Sequence, residues 1–109
     1  MIKLIISVIP KATKRNEFSQ SLSSLNGDMQ RCCPNLIITI KGNVYRITAE
    51  FKTEEQLEVV LLGKELYVLA GAIRTLGEKT EINIHGIRQQ KWATSYAGIQ
   101  INYLKSSES

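Results

Sequence analysis

The stretch LIITIKGNVYRITAEFKTEEQ, residues 36–56, carries the clearest local signals of secondary structure in this chain. Leu36–Ile40 is rich in β-branched side chains and predicts a strand, and Tyr45–Phe51 alternates apolar and polar residues as a half-buried strand does. Between them, Lys41-Gly42-Asn43 supplies residues that tolerate the positive φ angles of a tight turn. The stretch therefore predicts a β-hairpin. Its inward face on the second strand is Tyr45, Ile47, Ala49 and Phe51.

A helix is expected directly after the hairpin. Thr53 and Gln56 have the spacing of a capping box, in which the first side chain caps the helix and the second reaches back. Apolar residues at helical spacing continue to Ile73, although Gly63 could break this stretch, and Gly77 is a plausible C-terminal cap. Alternation resumes over Thr80–His85, which predicts another strand.

Before the hairpin, Ile2–Ile9 is apolar and β-branched and ends at Pro10, so it predicts the first strand. Lys11–Arg31 then changes to a helical period, and Asn26-Gly27 could end that helix early. Pro34 marks a stop before the hairpin. The apolar stripe of this helix is Phe18, Leu22, Leu25 and Met29.

The order strand, helix, strand, strand, helix, strand is the ferredoxin-like βαββαβ arrangement of an α+β protein. Its two helices cover only one face of the antiparallel sheet. Because Ile2–Ile9 is apolar in both directions, we expect the open sheet face to form a homodimer. We predict a single domain over residues 1–104, in which Ile99–Leu104 is a short last strand, and a disordered tail over residues 105–109.

Composition excludes several classes of protein. The 109 residues are 43% hydrophobic and 22% charged, which is ordinary globular usage, and no apolar run approaches the length of a membrane span. The net charge of +4 is scattered. The small basic cluster of Lys11, Lys14 and Arg15 lacks the stacking aromatic residues of an RNA-binding sheet. We therefore predict neither a nucleic-acid partner nor a membrane partner.

The two cysteines, Cys32 and Cys33, are adjacent. Neighbouring cysteines rarely pair, because the disulfide would strain the peptide between them. Two reduced thiols are the simpler interpretation, and a vicinal redox switch is the alternative. Reduced thiols without an export signal predict a cytoplasmic protein.

Chemically reactive candidates are few. No phosphate-binding loop or nucleophile elbow occurs, and one histidine makes a poor metal site, so we predict neither metal nor cofactor. His85 and Tyr67 are the candidate catalytic residues, since an imidazole titrates near neutrality and a phenol can hydrogen-bond a substrate. Phe51, Leu61 and Leu66 are the candidate ligand-lining residues; equally, they could simply fill the core. Trp92 could line a pocket or pack.

Several segments resemble the antibiotic biosynthesis monooxygenase-like family, whose members form dimeric α+β barrels. Glu50–Leu57 is similar to the family's E-W-x-[ST]-x-E-x-L junction between strand and helix, with Phe51 in place of the tryptophan. The other segments with family-like patterns are Lys14–Phe18, Cys33 with Leu36–Ile40, Leu69–Ile73, Leu76–Glu78 and Ala97–Ile99. Two features depart from the family: the histidine of the second helix is replaced near Val60-Leu61, and the hairpin connection is shorter.

The resemblance implies cofactor-independent oxygenation of a small aromatic, phenolic or quinol compound. Such chemistry needs a substrate that forms a reactive carbanion or phenolate, which the protein orients and helps to deprotonate. The alternative function is a non-catalytic dimeric module that binds a ligand or a partner. Haem binding is the least favoured of the three, because His85 at a strand end would have to be the axial ligand.

Overall fold

The computed structural model describes residues 2–32, 35–86 and 95–104. Predicted features that involve Cys33, Pro34, Trp92 or the tail at 105–109 lie outside these residues. The strands are β1 (Ile2–Pro10), β2 (Ile37–Lys41), β3 (Val44–Phe51), β4 (Gly77–His85), β5 (Ser95–Tyr96) and β6 (Ile99–Leu104). The helices are α1 (Arg15–Cys32), α2 (Glu54–Leu62) and α3 (Lys64–Leu76), and a 3-10 turn at Ala12–Lys14 leads into α1.

The sheet has the strand order β2-β3-β1-β4-β6-β5, and its first four strands pair antiparallel. This confirms the predicted ferredoxin-like α+β fold, with an open rather than a closed sheet. Two details differ from the expectation. The last strand, β6, pairs parallel to β4, and the two-residue β5 adds a second edge next to it.

The predicted hairpin is formed by β2 and β3. Ile38 lies opposite Ile47 and Lys41 opposite Val44, so Gly42 and Asn43 make a two-residue turn. Gly42 has a φ of 62°, a conformation that glycine adopts without steric cost. The alternation of β3 is also as predicted, since Tyr45, Ile47, Ala49 and Phe51 are all buried.

Local signals around the second helical stretch act as expected. The Thr53 side chain accepts a hydrogen bond from the Gln56 amide at 3.2 Å, and the Gln56 side chain accepts one from the Lys52 amide at 3.0 Å. Gly63 does break the stretch, because its extended backbone separates α2 from α3. The structure therefore has three helices rather than two.

Helix α1 does not end at Asn26-Gly27 but continues to Cys32. Leu22 and Met29, on either side of the glycine, are both buried in the core. Tertiary packing on both flanks therefore outweighs the cost of about 1 kcal/mol that glycine imposes on a helix interior.

The core lies between the helices and one sheet face. Phe18 of α1 meets Tyr45 of β3 edge-to-face with ring centroids 4.9 Å apart, and α1 packs against α3. The alternate residues of β1 at positions 2, 4, 6 and 8 face this core, whereas Ile5, Ser7 and Ile9 on the other face are half-buried. Among the described helices, none has the length and hydropathy needed to cross a bilayer.

Candidate functional site

The three predicted lining residues all lie in the core on the helix side of the sheet. Phe51, Leu61 and Leu66 are 6%, 8% and 1% exposed. Phe51 ends β3, Leu61 belongs to the last turn of α2, and Leu66 to the first turn of α3. Leu61 and Leu66 thus lie on either side of the junction between α2 and α3, and both are buried in the core.

The two predicted catalytic residues lie on opposite sides of the sheet. On β4, Ile82 and Ile84 are buried under the helices, and strand alternation turns His85 to the open face. There it is paired with Lys3 of β1. Tyr67 belongs to α3 and is 57% exposed on the helix layer. The sheet thus separates His85 from Tyr67, and both cannot contact one small ligand.

Tyr67 instead belongs to an aromatic pair with Tyr96 of β5, here called the tyrosine pair. The two rings meet edge-to-face with centroids 5.8 Å apart. The Tyr96 hydroxyl donates a hydrogen bond of 2.7 Å to the Leu61 carbonyl, which lies where Gly63 ends α2. The exposed side chains of Leu62 and Val68 belong to the same two helices. The tyrosine pair is thus a partly exposed aromatic surface beside the end of α2.

Tyr96 was missed by the sequence reasoning. It lies four residues beyond Trp92 in a polar segment, without the periodicity of a long strand. Its position depends on the β5–β6 turn, in which Ala97 and Gly98 have φ angles of 52° and 84°. The turn also lies close to the Arg74 guanidinium of α3. The Ala-Gly dipeptide before the last strand was the available signal.

The ionisation of Tyr96 should make stability fall at alkaline pH. Burial, and secondarily the charge of Tyr67, raises the pKa of Tyr96 from 10.0 to about 12. An unfolded chain loses this proton near pH 10, so the stability conferred by the protonated phenol is present below about pH 10 and is lost as the pH rises towards 12. Urea unfolding between about pH 9 and 12 should show this decline, and Tyr96→Phe should show a smaller one relative to its own value at pH 9. Identical declines in the two proteins would contradict this assignment.

Tyr45 is predicted from the sequence as an inward-facing strand residue, but its polar contacts are not. The hydroxyls of Tyr45 and Ser19 lie 2.8 Å apart, and the Arg15 guanidinium nearby donates to the Gly42 carbonyl at 3.1 Å. The Ser19 hydrogen bond, and with it Arg15, lowers the pKa of Tyr45, although burial acts in the opposite direction. This cluster links the start of α1 to the hairpin turn.

Two adjoining cavities lie on the open sheet face at the hairpin end. One has a volume of about 390 Å³ and is lined by Thr39, Ile40, Lys41, Val44 and Arg46. The other, of about 200 Å³, is lined by Ser7, Val8, Ile9, Val44, Lys79, Thr80 and Glu81. Val44 lines both cavities, and the two together are here called the hairpin groove. His85 lies on the same face but at the opposite end of the strands.

A metal centre is not evident in the described parts of the chain. Residues 2–32, 35–86 and 95–104 contain no group of three or more His, Cys, Asp or Glu side chains placed to hold an ion.

Solved structures share this arrangement of strands and helices. An antibiotic biosynthesis monooxygenase matches with a TM-score of 0.69 at 10% identity, over 82% of this chain and 100% of its own. The fold is that of the antibiotic biosynthesis monooxygenases. The cofactor-independent oxygenase SnoaB from Streptomyces nogalater matches with a TM-score of 0.60 at 16% identity, over 84% of this chain and 97% of its own. A conserved protein from Methanosarcina mazei matches with a TM-score of 0.67 at 20% identity, over 82% of this chain and 92% of its own.

The likeness to antibiotic biosynthesis monooxygenases is thus one of fold over nearly the whole domain. It supports the resemblance inferred from the sequence motifs. No protein-family model matches the chain, and no curated protein is significantly similar to it. Within the antibiotic biosynthesis monooxygenase fold, this chain places the tyrosine pair on the helix layer and the hairpin groove on the open sheet face.

Proposed function

We propose that this protein is a cytoplasmic, cofactor-independent monooxygenase of a small phenolic or quinol compound. The observation that carries the proposal is its fold, which it shares with structures that include a cofactor-independent oxygenase. The substrate itself supplies the electrons. For a phenol with a free para position, one oxygen atom of O₂ becomes the second carbonyl of a quinone, and the other leaves as water with the two hydrogens removed.

The tyrosine pair is the proposed binding surface for the aromatic ring. Aromatic rings favour edge-to-face or offset contacts with one another, and Tyr67 is exposed enough to meet a ligand. Burial raises the pKa of Tyr96 to about 12, and its hydroxyl hydrogen is already donated to the Leu61 carbonyl. Tyr96 therefore supports the ring, and the Tyr67 hydroxyl stabilises the phenolate that reacts with oxygen.

The partner in this proposal is a second copy of the chain, packed on the open sheet face. The half-buried Ile5 and Ile9 and the exposed Ile37 provide apolar surface there. Their neighbours Thr48 and Asn83 are polar, so the proposed interface is mixed rather than uniformly apolar.

Oxygen uptake tests the proposed chemistry. A thermal-shift screen with quinols and phenolic polyketides identifies a ligand, and uptake is then measured with that ligand. Tyr67→Phe should lower the rate about 100-fold, the lower end of what one positioned hydrogen-bond donor to a reacting oxyanion contributes. His85→Ala, on the other side of the sheet, is the control and should leave the rate unchanged.

If His85→Ala instead lost oxygen uptake and Tyr67→Phe retained it, the reaction would take place on the open sheet face. Binding without oxygen uptake would favour the second candidate, a non-catalytic ligand-binding module. That candidate has its own support, because the sheet separates the two titratable residues that catalysis was expected to use.

A further inference from the structure

We infer that the ligand of the tyrosine pair is a phenol that also carries a carboxylate, and that Arg74 binds this carboxylate. The inference rests on the proposed function for the position of the aromatic ring and adds the second group of the substrate. Tyr67, Gly71 and Arg74 are spaced four and three residues apart in α3, so they lie on one face of the helix. These three residues are here called the α3 strip. A second copy on the open sheet face would leave the strip uncovered, because α3 lies on the opposite side of the sheet.

The middle of the α3 strip is open. In the described part of the chain, a Cβ at Gly71 would meet nothing within 4 Å, although Gly71 lies inside a helix. At 1.5 Å per residue, the Cα atoms of Tyr67 and Arg74 are about 10 Å apart along the helix axis. The strip therefore has an aromatic ring at one end, open space in the middle and a cation at the other end. That arrangement fits an aromatic ring with a short charged side chain.

The β5–β6 turn holds the two ends of the strip. Tyr96 meets the Tyr67 ring, and Gly98, two residues later, lies against the Arg74 guanidinium. The approach is close, because a Cβ at Gly98 would be 2.7 Å from the Arg74 Cζ atom. One short turn thus places the tyrosine pair and the guanidinium on the same side of α3.

Arg74 is available to bind an anion. Within residues 2–32, 35–86 and 95–104, its guanidinium forms no salt bridge, hydrogen bond or ring contact. Glu65 is the one acidic residue of α3, and its carboxylate lies beside Gly63 at the other end of the helix. A guanidinium presents two parallel N–H donors that match the two oxygens of a carboxylate. A single cation also matches the single negative charge of that group.

Two phenols of the same shape test the inference: meta-hydroxyphenylpropanoate, which is charged, and meta-propylphenol, which is neutral. Both keep the free para position that the proposed oxygenation needs. The ¹⁵N-labelled full chain, titrated with each and followed by NMR, should bind the acid at least tenfold more tightly, with shifts at the amides of Gly71, Arg74 and Gly98. Arg74→Gln should weaken binding of the acid about tenfold or more and leave binding of meta-propylphenol unchanged.

Two further variants are controls. Lys64→Gln removes one positive charge from the same helix about 15 Å along its axis from Arg74, beyond the screening length at physiological salt, and should leave binding of the acid unchanged. Gly71→Leu should weaken binding of both phenols, because its side chain would fill the middle of the strip, and a helix favours leucine over glycine. Equal affinity for the two phenols would overturn the inference. Equal weakening by Lys64→Gln and Arg74→Gln, or undiminished binding of the acid to Gly71→Leu, would also overturn it.

Oxygen uptake separates this inference from the proposed function. Binding of the acid that depends on Arg74 but produces no oxygen uptake would support the carboxylate site and contradict the oxygenase. Uptake that is equally fast with meta-propylphenol and with the acid, and unchanged in Arg74→Gln, would support the oxygenase and overturn the inference.

Discussion

Phe18→Ala is expected to lower the free energy of unfolding by about 3–5 kcal/mol, the range measured when a buried aromatic residue is cut back to alanine. Phe18 is 1% exposed and is among the largest fully buried side chains. Its ring also supports Tyr45, whose hydroxyl is hydrogen-bonded to Ser19. The substitution would therefore leave a cavity and loosen the connection between α1 and the hairpin.

Urea unfolding followed by circular dichroism measures this effect. Leu62→Ala is the control, because Leu62 is 81% exposed and its truncation should change stability by about 0.5 kcal/mol or less. Similar losses for Phe18→Ala and Leu62→Ala would mean that α1 does not pack on β3 through Phe18 and Tyr45.

Gly77→Ala is expected to cost about 3 kcal/mol, although it adds only one methyl group. A Cβ at this position would lie 2.5 Å from the Ile73 carbonyl oxygen and 2.8 Å from the methyl groups of Thr80 and Val8. The carbonyl belongs to the backbone of α3 and already accepts the Gly77 N–H, so it cannot move without disturbing the helix end. Overpacking of this kind costs about 1–3 kcal/mol, and more where backbone must move.

Gly71→Ala is the matched control and should have the opposite sign. Gly71 lies inside α3, and a Cβ there would meet nothing within 4 Å. Because alanine favours the helix over glycine by about 0.5–1 kcal/mol, this variant should be slightly more stable than the parent. Thermal unfolding of the two variants side by side distinguishes the steric cost at Gly77 from a general effect of losing glycine. Equal stability of the two variants would contradict the close approach of α3 and β4.

Gly77 also illustrates a correct prediction with a different physical cause. The sequence predicts it as a helix cap, where glycine commonly adopts a positive φ. The structure does place it at the end of α3, but with a φ of −89°. Glycine is needed here for space between Ile73 and Val8, and such a close approach between distant segments has no local sequence signal.

Local sequence patterns could not show whether the two candidate catalytic residues share one site. The chemistry of their side chains makes His85 and Tyr67 candidate catalytic residues. Each occurs in an element that the sequence predicts correctly. Whether they share a site depends on which sheet face each one occupies. For His85 this follows from the alternation of β4, whereas for Tyr67 it follows from the docking of α3 and the partner it finds in Tyr96. The sheet between them is therefore the reason to test the two residues separately.

Elements with local signals could be predicted from the sequence alone. The hairpin at Gly42-Asn43, the helix start at Thr53 and the break at Gly63 follow from turn, capping and backbone preferences within a few residues. Three features required the tertiary structure: the continuation of α1 through Gly27, the parallel pairing of β6 with β4, and the contacts of Tyr96 with Leu61 and Tyr67. These three depend on contacts between segments far apart in the chain, where the free energy of packing and hydrogen bonding outweighs local preference.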